Sequence, residues 1–180
     1  ITTNNYQIYK ILNSLRNYGE KPFEDLNDRK YINNYKGVNS RLDEIQAAIL
    51  LNKLKNFKKD QKKRKKIAQY YLQNIKNYKI ILPYLRKNFE HSWHLFVINV
   101  ANRDKLHKLL KEKGIGTSVH FIPIHKHPYY RERFSYSDKD YPIANTVYEQ
   151  SLSLPIYPGL SNDEIHYIIQ HVLQYVESVN

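Results

Sequence analysis

Apolar positions along the chain change their period several times, and each change marks an element. Ile8, Ile11, Leu12 and Leu15 lie at helical spacing between Asn5 and Tyr18, and Gly19 follows as a stop. From Glu20 to Gly37 the pattern dissolves into a polar, turn-rich stretch around Pro22. Ser40 then opens a long helix, its hydroxyl expected to cap the N–H of Asp43, with Asp43 and Glu44 near the positive end of the helix dipole. Leu42, Ile45, Ile49, Leu50, Leu54 and Phe57 make an apolar stripe, which lapses over Lys58–Lys66 and resumes at Ile67, Tyr70, Tyr71 and Ile75. A helix apolar at both ends and polar between them predicts a strut joining two domains.

Beyond Pro83 the period shortens. His91–Val100 is rich in β-branched and aromatic residues and predicts a strand. Arg103–Lys113 is a short amphipathic helix closed by Gly114, and Gly116–Phe121 predicts a second strand. Ile122–Tyr141 is expected to be a loop stiffened by prolines, followed by a helix over Ile143–Ser151 and an extended Leu152–Pro155. Ser161-Asn162-Asp163-Glu164 is a capping box that opens a last amphipathic helix through Ile165, Ile168, Ile169, Val172 and Val176. The sum is an α/β arrangement, a small α+β domain packed on the strut.

Composition narrows the class. A hydrophobic share of 41% over 180 residues supports a folded core. The absence of Cys removes disulfides, thiolate metal sites and cysteine nucleophiles. No apolar run reaches the ~20 residues of a membrane span, and no signal-peptide pattern opens the chain, so a cytoplasmic protein is expected. The absence of Met makes the chain read as a piece of a longer product. The net charge of +12 is concentrated in Lys53–Lys66. That run lacks the interleaved aromatics of single-strand readers, so it is read as a solvated helix face and nucleic acid is not expected as a partner.

Two constellations could carry chemistry. His120, His125 and His127 fall within eight residues, but no carboxylate stands at metal-site spacing and Lys126 would repel a cation, so no metal is expected. With Lys126 and Arg131 close by, this loop suits an anion such as a diphosphate better; ordinary surface histidines are the plain alternative. Gly37-Val38-Asn39-Ser40-Arg41 is a glycine-led turn into a helix N-terminus, where backbone N–H groups and polar side chains can meet an anion, although on composition alone a helix N-terminus and nothing more is the stronger reading.

Several segments together resemble the DegT/StrS-type sugar aminotransferases. They are Arg16-Asn17-Tyr18-Gly19, Lys30-Tyr31, Gly37 to Ala48 (including Asn39-Ser40-Arg41-Leu42 and Gln46-Ala47-Ala48), Trp93 to Ile98, Gly114 to Phe121, and Leu152 to Pro158 before the Ser161 helix. Their order spans essentially the whole chain. The resemblance implies the C-terminal part of a fold-type-I aminotransferase that uses pyridoxal 5'-phosphate and works as a homodimer with active sites at the interface. It implies the tail of the large cofactor domain over 1–39, the interdomain helix over 40–78 and the small domain over 79–180. The lysine that holds the cofactor as a Schiff base would lie upstream, so no catalytic residue is named here and the chain alone is expected to be inactive.

By the same resemblance Asn39 reaches the cofactor phosphate of the other subunit, and Arg41 supports that turn or the same anion. Lys30 corresponds to a nucleotide-sugar contact. His120 lies beside the sugar or its diphosphate, with Phe121 where many relatives have tyrosine, and His125 and Arg131 are looser candidates for the substrate phosphates. Trp93 and His94 are expected to pack in the small domain. The implied reaction transfers an amino group, from L-glutamate as donor, to a keto carbon of a nucleotide-linked 6-deoxy sugar, for polysaccharide biosynthesis. The alternative is a non-catalytic remnant or partner domain that binds a nucleotide-sugar or an active homologue.

Overall fold

In the computed structural model, residues 1–20 and 32–178 are described. The chain divides into two compact units, Ile1–Lys55 and Asn56–Asn180. The first unit opens with helix α1 (Tyr6–Leu15), whose N-terminus is capped by the Asn5 side chain, which accepts from the Gln7 and Ile8 amides. Helix α2 (Glu44–Asn74) begins here and continues into the second unit. Its cap differs from the expected one. Asp43, not Ser40, accepts from the amides of Ile45 and Gln46 at 2.8 and 3.3 Å. The carboxylate stands one residue before the first helical turn, where its charge also meets the helix dipole.

The second unit carries the core. Strands β1 (Ile80–Ile81), β2 (Phe96–Val100) and β3 (Ser151–Leu154) form an antiparallel sheet in the order β1-β2-β3. The β2–β3 register pairs Phe96 with Leu154 and Ile98 with Leu152, so these four buried side chains share one face. Against them pack Ile67, Ala68, Tyr71 and Ile75 from the end of α2, Leu106 and Leu110 of α3 (Arg103–Glu112), and Ile165, Ile168, Ile169 and Val172 of α6 (Asn162–Ser178). Tyr71 is fixed twice, by its ring against Phe96 and by its hydroxyl, which donates to Pro155 O at 2.9 Å. The capping box of α6 forms as expected: the Ser161 amide donates to Glu164 Oε2 and the Glu164 amide to Ser161 Oγ.

The opposite face of the sheet is mixed, with Val97 and Ile81 beside Asn99, Ser151 and Ser153. Asn99 pairs with Ser151, whose hydroxyl donates to Asn99 Oδ1 at 2.7 Å. Arg103, only 3% exposed, donates from Nη1 to Ser151 O at 2.9 Å, and its guanidinium lies over the Tyr148 ring of α5 (Pro142–Gln150). Its Nε sits 2.6 Å from Asp104 Oδ1 as an ion pair but lacks the alignment of a hydrogen bond. Burial of that charge is offset by the carbonyl, the ring and the carboxylate together.

Three further sequence expectations change. The predicted strand over 116–121 reduces to a single bridge between Ser118 and Ser153. The expected loop 122–141 contains helix α4 (Pro128–Phe134), which begins on a proline suited to a first helical turn. Burial on α2 is confined to Ile67, Ala68 and Tyr71, while Leu42, Ile45, Ile49, Leu50, Leu54 and Phe57 are each more than half exposed. The predicted stripe is present but nothing among the described residues covers its first half. No helix among the described residues is long and apolar enough to cross a membrane.

Candidate functional site

In the first unit, two backbone segments meet at van der Waals limits. The Tyr18 amide donates to Val38 O, the Val38 amide to Leu15 O and the Ser40 amide to Arg16 O, at 2.8–3.1 Å. Gly19 adopts a left-handed φ of +81°, and a Cβ there would stand 1.8 Å from Tyr35 O. A Cβ on Gly37 would stand 2.2 Å from Gly19 N and 2.5 Å from Leu15 O. Only a glycine pair permits this approach, and the approach presents Asn39 and Arg41 just before α2. Asn39 is bridged to Asn17 through the backbone, and Arg41 Nε donates to Asn39 Oδ1 at 3.3 Å. That bond orients the amide so that Asn39 Nδ2 is left to donate elsewhere. Among the described residues no acceptor takes Asn39 Nδ2 or the Arg41 Nη groups. The donor set is an amide and a guanidinium on an exposed turn, which suits an oxyanion such as a phosphate or a carboxylate. A cleft of about 680 Å³ opens in the same unit, lined in part by Thr2, Tyr9, Arg16, Val38 and Ser40.

In the second unit, the histidines separate sharply. His125 is buried, stacks on Tyr141 at 4.7 Å and donates from Nε2 to Asn145 Oδ1 at 2.8 Å. Asn145 Nδ2 donates in turn to Asp138 O, which fixes which amide atom faces the ring. His127 Nε2 donates to Ile122 O at 3.2 Å. His120 is half-buried against Phe121, and its Nε2 is shielded without a hydrogen-bond partner. Phe121 itself is 81% exposed. Among the described residues, no three His, Cys, Asp or Glu side chains are grouped to hold a metal.

Arg131 and Lys126 both close on Asp138, at 2.6 and 3.3 Å. Partial desolvation pushes the Asp138 carboxyl up, but Lys126, Arg131 and His125 outweigh it and hold it below the usual carboxylate range. The sequence-predicted residues are thus brought together in part. Asn39 joins Arg41; His120 joins Phe121; His125 and Arg131 meet through Asp138. Lys30 lies outside the described residues. Trp93 is buried on Phe96 as expected, whereas His94 is exposed and does not pack. The sequence reading missed Asp138 and Asn145. Their signal is weak: the Ser137–Asp140 cap identifies a turn, but nothing local shows that the turn folds back on His125.

Comparison with known proteins follows the same outline. The profile of the DegT/DnrJ/EryC1/StrS aminotransferase family matches residues 1–173. The dTDP-3-amino-3,6-dideoxy-alpha-D-galactopyranose transaminase of Aneurinibacillus thermoaerophilus is 42% identical over 97% of this chain and 46% of its own length. The spore coat polysaccharide biosynthesis protein SpsC of Bacillus subtilis is 37% identical over 80% of this chain and 39% of its own. The crystal structure of S. venezuelae DesV superposes with a TM-score of 0.89 at 32% identity, covering 99% of this chain and 47% of that one. The chain spans about half the length of the curated relatives it matches. With the family profile matching residues 1–173 and a relative 42% identical over 97% of this chain, the chain belongs to the DegT/DnrJ/EryC1/StrS aminotransferase family.

Proposed function

We propose that the chain is the C-terminal part of an aminotransferase that acts on a nucleotide-linked keto-6-deoxy sugar, with L-glutamate as amino donor and pyridoxal 5'-phosphate as cofactor. The observation that carries the proposal is the family match over residues 1–173, joined to a turn whose amide and guanidinium donors suit a phosphate. Relatives named as dTDP-amino-sugar transaminases support the substrate class. Residues 1–39 would close the cofactor domain, 40–78 form the interdomain helix and 79–180 the small domain of a cytoplasmic homodimer.

When bound, pyridoxal phosphate supplies the electron sink that amino transfer requires. This chain's contribution is holding and orienting. Asn39 Nδ2 would donate to the cofactor phosphate of the other subunit, while Arg41, which fixes the amide's orientation, would add positive charge beside the same anion. His120 would place its ring beside the sugar or its diphosphate, its more open edge and not the shielded Nε2 facing that ligand. Phe121 presents a ring face without a hydroxyl, which selects against a substrate group that needs a donor there. Arg131 reaches a substrate phosphate only as half of an ion pair with Asp138, and His125 holds that loop through Asn145. Lys30 is a further basic contact to the nucleotide-sugar. The cofactor-anchoring lysine comes from sequence outside these 180 residues, so the chain by itself is inactive.

Pyridoxal-phosphate titration of the whole protein tests this assignment. Asn39→Ala should weaken cofactor binding by roughly tenfold, the cost of one charge-assisted hydrogen bond. Equal affinity in the native protein and the variant would remove Asn39 from the cofactor site.

A further inference from the structure

Between Glu44 and Asn74 helix α2 carries nine Lys and Arg side chains, and beyond its first residue Asp60 is its one acidic residue. Lys59, Lys62, Lys63 and Lys66 recur at intervals of three and four and therefore share one face. Like charges at that spacing oppose helix formation. Two neighbours on the helix are otherwise engaged: Arg64 donates to Ile156 O at 2.9 Å, and Lys65 pairs with Glu90 at 3.6 Å. Lys63 and Lys66 have no ion pair among the described residues, and both border a cleft of about 370 Å³.

The rest of that cleft suits a small ligand. Ile67 and Ile165 contribute apolar surface, with Pro158 and Leu160 beside them. Gly159 also lines it, and a Cβ added there would make only ordinary contact with the Tyr157 ring at 3.6 Å. Tyr70 is held in place by a hydrogen bond to His166. His166 Nδ1 donates to Asn162 O at 2.8 Å, so its Nε2 accepts from the Tyr70 hydroxyl at 2.5 Å. The volume lies at the lower end of the ~300–1,000 Å³ usual for small-molecule sites. The Glu164 carboxylate already caps the first turn of α6, so attraction for an anion comes from the lysines and not from the helix terminus.

We infer that Lys63 and Lys66 form the anionic subsite of a second small-molecule site, one that takes a diphosphate group with an apolar ring lying against Pro158 and Leu160. It shares no residue with the candidate site above and stands whether or not the aminotransferase reading does.

The test is calorimetric titration of the whole protein with inorganic pyrophosphate and, separately, with ADP. Lys63→Gln/Lys66→Gln is compared with Lys105→Gln/Lys108→Gln, which removes the same charge from exposed positions on α3. The expected result is at least tenfold weaker binding in the first double variant and less than twofold change in the second. ADP binding more tightly than pyrophosphate supports a ring seated against Pro158 and Leu160; equal affinity would overturn the ring's part in the inference. In either case pyrophosphate should shift the amide resonances of Gly159, Leu160 and Asn162. Equal weakening in the two double variants, or no binding to the native chain, overturns the inference.

Discussion

Gly37→Ala isolates the physical basis of the turn that presents Asn39 and Arg41. The new methyl would lie 2.2 Å from Gly19 N, 2.5 Å from Leu15 O and 2.6 Å from Tyr18 C. All three are backbone atoms, so no side chain can rotate away. Gly37 does not occupy the left-handed region, so the cost is steric alone. Overpacking of a well-fitted site costs roughly 1–3 kcal/mol, and three backbone clashes place this case at about 3. The strain falls on hydrogen bonds from the amides of Tyr18, Val38 and Ser40. Loss of about 3 kcal/mol from their local opening free energy accelerates their hydrogen exchange by about 150-fold. Amides in β2, which belongs to the other unit, should keep their native rates. Unchanged exchange at the three turn amides would refute the reasoning, because the two segments would then not be in contact through their glycines.

Three further perturbations follow from the second unit. Leu110→Ala removes a fully buried side chain between α3 and the core and should cost about 2–5 kcal/mol in denaturant unfolding. Burial, with Tyr157 adding to it, pushes the Tyr71 hydroxyl well above its ordinary range. A raised folded pKa gives stability that is complete below the unfolded value near 10 and lost as pH rises above it; Tyr71→Phe should therefore flatten the alkaline limb of a pH–stability curve and lower neutral stability by about 1–2 kcal/mol, because Pro155 O loses its donor. Glu164 is held low by the Ser161 backbone amide and hydroxyl, so its contribution is present above the ordinary carboxylate range and lost as pH falls through the lowered value; Ser161→Ala should cost about 1 kcal/mol at neutral pH and reduce the acid dependence, both read by thermal unfolding from pH 3 to 7.

Elements with local signatures were legible in the sequence. The Ser161 box names the residues that cap α6, and the 3.6-residue period of Leu106 and Leu110 gives the buried face of α3. Elements that depend on pairing were not. The segment 116–121 has strand composition, yet Ser118 alone pairs with Ser153, between a left-handed Gly114 and Pro123. Strand β1 is two residues long and exists only because Val100 and Asn99 stand opposite it. The same division holds for the candidate site. Gly37 is recognisable as a turn glycine, but its contact with Gly19 is made across eighteen positions of sequence. The three histidines look alike in sequence, and what distinguishes His125 is Asn145, twenty residues away. Residue types that favour anions were therefore visible, whereas the partners that engage or release them were not.

The most direct test of the account is nitrogen transfer. The whole protein, loaded with pyridoxal phosphate, is incubated with L-[15N]glutamate and a dTDP-linked 4-keto- or 3-keto-6-deoxyhexose, and the sugar nucleotide is examined by mass spectrometry. The account predicts 15N in the sugar together with formation of 2-oxoglutarate. Cofactor bound and glutamate deaminated with no label in any nucleotide-linked keto sugar would contradict it.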